Sequence, residues 1–421
     1  MAISFDIRHR SQSTAGRVGV VTTPHGPFQT PAFMTVGTRA TVRGVTNEQL
    51  RRVGAEVVLN NAYHLWLRPG PELIDRFGGA HRFMGWDGPI LTDSGGYQAY
   101  SMADTNAIDE DGVTFRSIVD GRKLRMTPEA SMDIQNKIGA DIIMAFDDCP
   151  PAVDLGEGPV SQTRLKLQAA HERDRIKGNY DHVARLQTAN ERTIRWLERC
   201  KTAHAKADAQ ALFGIVQGGT DEDARRWSAE HVTNVDLPGY AIGGVSVGET
   251  SEDIARIVRF TAPLLPEARP RYLMGVGYPR DMVAAVCAGV DMFDCVLPGR
   301  NGRNANAFVP EGQIRLRNAR FVEDAEPLES GCDCPACDPV EGQPASRAYI
   351  RHLFMSQEML GPILVSLHNL RFYQRLMADL RATIASDDWA GFADRWPSAA
   401  AGIPQAAYHA PRAGPSGGGE V

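Results

Sequence analysis

Two aspartates of this sequence stand where short apolar runs end, in settings that suit acid–base or nucleophilic chemistry. Asp93 ends the run PILTD and is followed by Ser94, Gly95 and Gly96, and the glycines would let a ligand approach the backbone closely. Tyr97 comes next and offers a ring that could stack on a flat ligand. Asp294 ends a second run, VDMFD. Capping of a helix is an equally good explanation of Asp93 taken alone, because aspartate and serine are common N-caps.

A third carboxylate and a carboxamide are suited to hydrogen bonding with the edge of a purine. Asp147 can accept from ring N–H and amino groups, whereas Gln217 both donates and accepts. The pair Gly243–Gly244 follows a neighbouring apolar run. Helix capping and hydrogen bonding within the core are the alternative explanation for these polar residues.

A local basic patch is present although the formal net charge of the chain is -6. Between Gly299 and Arg320 only one acid, Glu311, accompanies five arginines. Guanidinium groups bind phosphate oxygens through a bidentate fork, so the patch favours a nucleic-acid partner over a merely solvated face. We expect the first two arginines to lie in a flexible loop beside Asp294. The five are Arg300, Arg303, Arg315, Arg317 and Arg320.

Three of the seven cysteines form the pattern C-x-C-x2-C, which predicts a zinc site. Cys332, Cys334 and Cys337 would supply three thiolates, and either His352 or His368 could supply the fourth ligand. Such a site has no open position for a substrate, so the zinc is expected to be structural. The other cysteines are scattered and the total is odd, which argues against a disulfide framework and favours a reducing compartment.

Eight short apolar runs alternate with longer helix-like stretches, and this rhythm predicts a (β/α)8 barrel. The runs lack period-two alternation, as expected of strands buried on both faces of a parallel sheet. In such a barrel the polar residues at the carboxyl ends of the strands meet at one mouth. The runs are Pro31–Gly37, Glu56–Asn61, Pro89–Asp93, Asp141–Asp147, Leu212–Gln217, Gly239–Gly244, Arg271–Gly275 and Val290–Asp294.

The sequence further predicts a division of the chain into a catalytic barrel over residues 1–313 and a zinc-binding subdomain with closing helices over residues 314–395. A charged segment, residues 154–208, is expected to be a helical elaboration of the barrel, and the Ala-, Pro- and Gly-rich tail, residues 399–421, to be disordered. No signal peptide or long apolar run is present, so we expect a cytoplasmic protein that does not engage membranes.

Other motifs narrow the choice of chemistry. The segment Gly244–Gly248 fits G-x-S-x-G, which would make Ser246 the nucleophile of a serine hydrolase, but no HGGG-type oxyanion segment precedes it. That interpretation also leaves the cysteines and arginines unexplained. Neither G-x-x-x-x-G-K-[ST] nor G-x-G-x-x-G occurs, so no nucleotide cofactor is indicated.

Taken together, the motifs resemble those of the tRNA-guanine transglycosylase family. The resemblance covers most of residues 16–373, and the blocks occur in the family's order. They are TPAFMTVGT, NNAYHLWLRPG, FMGWDGPILTDSGGYQ, IIMAFDDC, YLMGVG, MFDCVLP and RNARF, followed by the cysteine cluster and a distant histidine. The family fold is an irregular (β/α)8 barrel with a zinc-binding subdomain.

The resemblance also implies roles for individual residues. Asp294 would be the nucleophile and Asp93 the general acid–base, and His368 would be the fourth zinc ligand. The base would be bound by Asp93, Ser94, Gly95, Gly96, Tyr97, Asp147, Gln217 and Gly244. The RNA would be bound by Gly275, Val276, Gly277, Tyr278, Pro279, Arg280, Asp281, Gly299, Arg300, Asn301, Gly302 and Arg303, with Arg43 as a further phosphate contact.

The implied reaction replaces the wobble guanine of GUN-anticodon tRNAs (Asp, Asn, His and Tyr) with 7-aminomethyl-7-deazaguanine, through a covalent enzyme–RNA intermediate. Cys149 and Val247 accompany this bacterial substrate, whereas the eukaryotic branch inserts queuine. A non-catalytic partner subunit of the family would lack one catalytic carboxylate, yet both are present here.

The family forms homodimers, but residues 338–345 are longer than usual and lack a Trp found there in some bacterial members, although Tyr349 and His352 remain. Gly299 replaces the usual Thr.

Overall fold

The computed structural model describes residues 2–101, 107–153, 181–246, 248–340 and 342–409. The strands, in chain order, are β1 Ser4–Arg10, β2 Arg17–Thr23, β3 Gly26–Thr30, β4 Ala32–Val36, β5 Val58–Asn61, β6 Ile90–Asp93, β7 Ala107–Ile108, β8 Val113–Arg116, β9 Lys123–Met126, β10 Ile142–Met144, β11 Ala211–Val216, β12 Gly239–Ile242, β13 Arg271–Leu273, β14 Met292–Asp294, β15 Asn306–Val309 and β16 Gly312–Arg315.

The α-helices of these residues are α1 Asn47–Arg52, α2 Ala62–Leu67, α3 Pro71–Arg76, α4 Ala80–Met84, α5 Gly96–Ser101, α6 Pro128–Ile138, α7 His182–Ala203, α8 Glu222–Thr233, α9 Ser251–Thr261, α10 Pro279–Cys287, α11 Leu297–Arg303, α12 Arg347–Met355, α13 Leu360–Ser386 and α14 Trp389–Arg395. Short 3-10 turns complete the fold. Several helices begin at a side-chain cap, as at Thr127 before α6 and Asp181 before α7.

Eight parallel strands close into a barrel in the order β4-β5-β6-β10-β11-β12-β13-β14, which confirms the predicted (β/α)8 fold. Each of the eight predicted runs supplies one barrel strand. The strands are buried on both faces, and all six residues of β11 are buried, because side chains pack inward into the barrel and outward against the helices. Side chains of the small β1–β3 sheet, such as Val21 and Phe28, belong to the same core cluster as the barrel interior, so this sheet closes the amino-terminal end.

The cysteine-rich region has its own small core beside the barrel. The β15–β16 hairpin and α12 contribute Ala307, Leu316 and Ile350 to a cluster that also contains the three cysteines. The long helix α13 connects this cluster to the barrel, because it packs against α11, β4 and β15.

Two further predictions fall partly outside the described residues. In the segment 154–208, α7 accounts for His182–Ala203, and residues 154–180 are not described. In the tail that we expected to be disordered, residues 399–409 form two 3-10 turns, because Ala399, Ile403 and Ala407 are buried in the main core. Residues 410–421 lie outside the described part of the chain. No described helix is long and apolar enough to span a membrane.

A buried carboxylate fixes the amino-terminal end of the barrel. Asp141 precedes β10 and accepts hydrogen bonds from the backbone of Ile90 (2.8 Å), His25 Nδ1 (2.7 Å) and His81 Nε2 (3.1 Å). The two imidazole rings are stacked with their centroids 3.4 Å apart. Burial opposes ionisation of Asp141, but the bonds from both histidines and Ile90 prevail and hold its pKa below the usual value.

We predict that Asp141→Asn destabilises the fold by about 1.5–3 kcal/mol at neutral pH, because several buried donors lose a charged acceptor. The folded-state pKa is depressed, so the stabilisation from Asp141 is complete above the unfolded pKa of about 3.9, begins to fall near it, and is lost as the pH falls through the lower folded-state pKa. Urea unfolding at pH 7 and at pH 3.5 measures both effects. Asp236→Asn is the control, since Asp236 is 85% exposed. Equal unfolding midpoints for the two variants at pH 7 would contradict the prediction.

Candidate functional site

Asp294 lies at the carboxyl end of β14, where two donors hold its carboxylate. The Tyr272 hydroxyl donates to Oδ1 at 2.6 Å, and the Gly275 backbone N–H donates to the same oxygen at 2.8 Å. Burial raises the pKa of Asp294, and these two bonds act against that rise because they stabilise the ionised form. The arrangement fixes one carboxylate oxygen and leaves Oδ2 for another partner.

Asp93 lies at the carboxyl end of β6, at the same mouth. Its Oδ2 accepts a hydrogen bond of 2.9 Å from the Asn61 carboxamide. Two effects raise the pKa of Asp93 to about 6: burial is the larger, and the negative charge of Asp294 is the second. Because the charge of one carboxylate raises the pKa of the other, the two lie near each other, and Asp93 is suited to exchanging a proton near neutral pH.

A third carboxylate lies at the same end of the barrel. Asp147 is buried after β10 and accepts a 2.5 Å hydrogen bond from Gln217 Nε2. Burial and the nearby charge of Asp93 raise its pKa to about 7. Gly244 has a φ of +61°, and a Cβ there would overlap the Gln217 carboxamide oxygen, so glycine is required beside this pair.

The segment after Asp93 packs closely against its neighbours. Gly95 has a φ of +81°, and a Cβ there would lie 2.7 Å from the backbone nitrogen of Tyr63. Ser94 is buried, and its hydroxyl accepts a 3.3 Å hydrogen bond from the backbone N–H of Gly96, where α5 begins. Tyr97 is partly buried and packs against Ala152. These close contacts hold residues 94–97 beside Asp93 at the start of α5.

Two residues that position this site, Tyr272 and Arg225, went unrecognised in the sequence. Asn61 ends one of the predicted runs and was expected at the mouth, although its bond to Asp93 was not predicted. Tyr272 binds Asp294 directly but lies within a barrel strand, and only the barrel register shows that it points towards the mouth. Arg225 on α8 carried no motif signal.

The Arg225 side chain is fully buried and joins the ends of two barrel strands. Its guanidinium donates to four carbonyls, those of Val216 (3.0 Å), Gly219 (2.8 Å), Gly243 (2.7 Å) and Gly244 (3.0 Å). Burial lowers its pKa to about 10, so it stays protonated at neutral pH. Arg225 thereby holds the segments that carry Gln217 and Gly244.

The predicted RNA-binding residues divide into exposed and buried groups. Gly275, Tyr278, Arg280 and Arg300 are exposed. Asp281 is buried and faces Ser251 and Arg280, so it does not face an external ligand. The exposed group borders Asp294, whose partner Gly275 belongs to it. The buried group is Val276, Gly277, Pro279, Asp281 and Gly302, while Gly299, Asn301 and Arg303 are intermediate.

The expectation of a flexible loop after Asp294 was wrong. Arg300 and Arg303 lie in the helix α11, which Asn369 of α13 braces by donating to the carbonyl of Pro298 at 3.0 Å. The positive charges of Arg43 and Arg300 add to burial in lowering the pKa of Arg303, so the three guanidinium groups form one basic cluster. Arg315, Arg317 and Arg320 lie instead on and after β16 in the cysteine-rich region.

Cys332, Cys334, Cys337 and His368 come together as the sequence predicted, and all four are buried. The three sulfurs lie 3.6, 3.5 and 3.5 Å from His368 Nδ1. Tetrahedral zinc with ordinary Zn–S and Zn–N bonds would separate these atoms by about 3.6 Å, so the four residues fit one ion. His368 Nε2 contacts the Phe308 carbonyl at 2.7 Å, which leaves Nδ1 for the metal.

His25, His81 and Asp141 form a second group with ligand atoms close together. A metal must lie near the plane of each imidazole that binds it, because the nitrogen lone pair lies in the ring plane. Here the rings are stacked 3.4 Å apart with an interplanar angle of 12°, so one ion cannot lie in both planes. We therefore treat this group as a hydrogen-bonded structural cluster.

The remaining sequence candidates are placed as follows. Cys149 is partly buried near Asp147, and desolvation followed by that negative charge raises the pKa of its thiol. Ser246 has a φ of +64°, and its backbone N–H donates to Glu249. Within the described residues no histidine hydrogen-bonds the Ser246 hydroxyl, so the serine hydrolase interpretation gains no support. Val247 is not among the described residues.

Comparisons with known proteins agree with the motifs. The family model described as queuine tRNA-ribosyltransferase matches residues 11–166 and 162–401. A protein named queuine tRNA-ribosyltransferase from Symbiobacterium thermophilum is 48% identical over 94% of this chain and 92% of its own length. Proteins of the same name from Halothermothrix orenii and Herpetosiphon aurantiacus are 47% and 48% identical, each over 94% of this chain and over 97% and 93% of their own lengths.

We predict that Cys334→Ser removes the bound zinc, because a hydroxyl is a much poorer zinc ligand than a thiolate. Metal analysis of the purified protein should find about one zinc per wild-type chain and well under half of that in the variant. The variant should also melt at a lower temperature. Cys287→Ser, which alters a buried cysteine of α10, should keep its zinc. An unchanged zinc content in Cys334→Ser would contradict the assignment.

Proposed function

This chain belongs to the queuine tRNA-ribosyltransferase family, and we propose that it exchanges the wobble guanine of GUN-anticodon tRNAs for 7-aminomethyl-7-deazaguanine. It is a tRNA-guanine transglycosylase, a pentosyltransferase of queuosine biosynthesis. The observation that carries the proposed mechanism is the pair of carboxylates at one mouth, Asp294 with one oxygen held by two donors and Asp93 with a pKa of about 6.

In the first half of the reaction Asp294 acts as the nucleophile. Its carboxylate oxygen bonds to C1′ of the ribose while the bond between C1′ and guanine N9 breaks, and the departing base takes the bonding electrons. Protonated Asp93 gives its proton to guanine. The product is a covalent glycosyl-enzyme of the kind formed by retaining glycosidases.

The second half reverses these roles with a different base. The incoming deazaguanine gives its N9 proton to ionised Asp93 and attacks C1′, and Asp294 leaves as a carboxylate. One N-glycosidic bond replaces another and Asp93 returns to its protonated state, so no energy source is consumed. A pKa of about 6 suits this exchange, because Asp93 can both release and accept a proton near neutrality.

Base recognition is assigned to Asp147, Gln217 and Gly244. The ring N–H and amino group of guanine can donate to Asp147, and the Gln217 carboxamide can pair with the adjoining edge. These purine donors would favour the ionised form of Asp147, whose pKa of about 7 leaves it part-protonated before the base binds. Ser94, Gly95 and Gly96 would line the pocket, and Tyr97 would stack on the purine.

RNA binding is assigned to the exposed residues around this mouth. The basic cluster of Arg43, Arg300 and Arg303 has its charge concentrated beside Asp294, where it would neutralise phosphates of the anticodon loop. The target guanine must leave the stack to reach Asp294, as in other enzymes that act on a base. The zinc would stabilise the cysteine-rich subdomain, residues 314–395, rather than take part in the reaction.

We further propose a cytoplasmic homodimer. Tyr349, Met355, Met359 and Leu360 are exposed on or after α12, with Met359 at 81%, and an exposed apolar surface of this kind suits burial against a second copy.

Insertion of queuine, as in the eukaryotic branch, is the alternative substrate choice. Measuring exchange with 7-aminomethyl-7-deazaguanine and with queuine separately decides between them.

Asp294→Ala should reduce incorporation of labelled guanine into unmodified tRNA by about 10⁴-fold or more, because it removes the proposed nucleophile, while Asp93 and Asp147 are assigned to proton exchange and base recognition. Scintillation counting of the precipitated tRNA measures this. Ser246→Ala is the control and should keep incorporation within about threefold of the wild type. Loss of activity in Ser246→Ala with retention in Asp294→Ala would favour a hydrolase instead.

Tyr272→Phe should move the acidic limb of the kcat/KM profile for tRNA to higher pH by about one unit. The Tyr272 hydroxyl stabilises ionised Asp294, and one unit corresponds to about 1.4 kcal/mol, close to the lower end of the contribution of a hydrogen bond to a charged group. Tyr240→Phe is the matched control, since among the described residues that hydroxyl bonds to the backbone of Val235 and Leu237 and to no carboxylate. A limb shifted to lower pH in Tyr272→Phe would contradict this role for Tyr272.

A further inference from the structure

A small depression opens beside the mouth, separate from the base pocket. Its volume is about 230 Å³. Loops after two neighbouring barrel strands form it, together with the turn between β8 and β9. The residues that line it are Arg39, His64, Leu67, Arg68, Ile118 and Val119.

One wall of the depression is cationic. Arg39 projects from a tight turn in which Thr38 and Thr41 form a β-bridge and Ala40 has a φ of +55°. Arg68 follows α2, and its backbone N–H donates to the His64 carbonyl at 3.0 Å. Neither guanidinium forms an ion pair within the described parts of the chain. Two positive charges therefore line one small space, and no acid among the described residues pairs with either of them.

The opposite wall is apolar. Ile118 and Val119 are 45% and 39% exposed at the tip of the β8–β9 turn. The nearest acid of that turn, Asp120, is bound by Arg122 at 2.6 Å and does not neutralise the arginines across the depression. A ligand that fits both walls carries an anionic group next to an uncharged ring.

The depression is connected to the catalytic carboxylate through a single helical turn. Asn61 donates to Asp93 and, as the N-cap of α2, accepts from the backbone N–H of His64 at 3.2 Å. Three residues of helix rise by about 4.5 Å, so His64 lies roughly that distance along α2 from the residue that holds Asp93. A nucleotide adjoining the one under attack can span such a distance.

From this geometry we propose that the depression binds the phosphate and ribose of the RNA nucleotide next to the exchanged one. Arg39 and Arg68 hold the phosphate, and Ile118 and Val119 pack against the sugar. A volume below the 300–1,000 Å³ range of pockets for whole small molecules suits one sugar phosphate rather than a free nucleotide. The inference rests on the proposed function, because it places the exchanged nucleotide at Asp294 and Asp93.

The test uses anticodon stem-loop RNAs in which one backbone phosphate at a time is replaced by an uncharged methylphosphonate. In the wild type, replacement at the phosphate that occupies the depression should raise the KM for RNA roughly five- to twentyfold, with kcat and the KM for guanine unchanged. In Arg39→Gln/Arg68→Gln that same replacement should have no further effect, while replacements elsewhere keep theirs. In this double variant the negative slope of log kcat/KM against log salt concentration should also become shallower by about 0.7.

The matched control is Arg8→Gln/Arg10→Gln, which removes two exposed arginines from β1 at the other end of the barrel. This variant should keep the methylphosphonate sensitivity of the wild type at every position. If every replacement affects Arg39→Gln/Arg68→Gln as strongly as the wild type, the depression does not hold a phosphate. If instead the wild type exchanges no guanine into any RNA, the proposed function itself fails, so the two failures are distinguishable.

Discussion

Mutual repulsion among Asp93, Asp147 and Asp294 is the constraint on which the rest of the site depends. The charge of Asp294 raises the pKa of Asp93, and the charge of Asp93 raises that of Asp147. Burial acts in the same direction on all three. A protein that collects carboxylates in this way must supply donors to each, and it does so from different barrel strands or the loops that follow them, through the partners Asn61, Gln217, Tyr272 and Gly275.

The barrel makes this possible because parallel strands present their carboxyl ends at one edge. Precise placement of the donors then needs a second layer behind the strands. Arg225 provides part of it, since its four hydrogen bonds to carbonyls keep the ends of β11 and β12 at a fixed spacing. Backbone carbonyl dipoles stabilise the positive charge of Arg225. Its charge therefore needs no further carboxylate at a mouth that already holds three.

Sequence patterns predicted much of this molecule. The eight strands are buried on both faces, and their uninterrupted apolar runs made them recognisable. The spacing of the three cysteines predicted that they would act together as metal ligands. The patterns failed where a role depends on distant contacts. Arg300 and Arg303 were expected in a flexible loop but lie in a helix, which Asn369 of α13 braces through the carbonyl of Pro298. Arg225 and Tyr272 resemble ordinary core or helix residues until the fold places them beside Gln217 and Asp294.

Helix α13 has a consequence for how the protein matures on the ribosome. In consecutive positions it supplies the histidine of the cysteine cluster and Asn369, which binds the carbonyl of Pro298; one turn further, Tyr373 binds that of Gly277 at 2.5 Å. The segments that follow β13 and β14 thus obtain these supports only after residue 373 has emerged, well after the last barrel strand has been made. A nascent chain that already contains all eight barrel strands still lacks the contacts that hold the segments beside Asp294 in place.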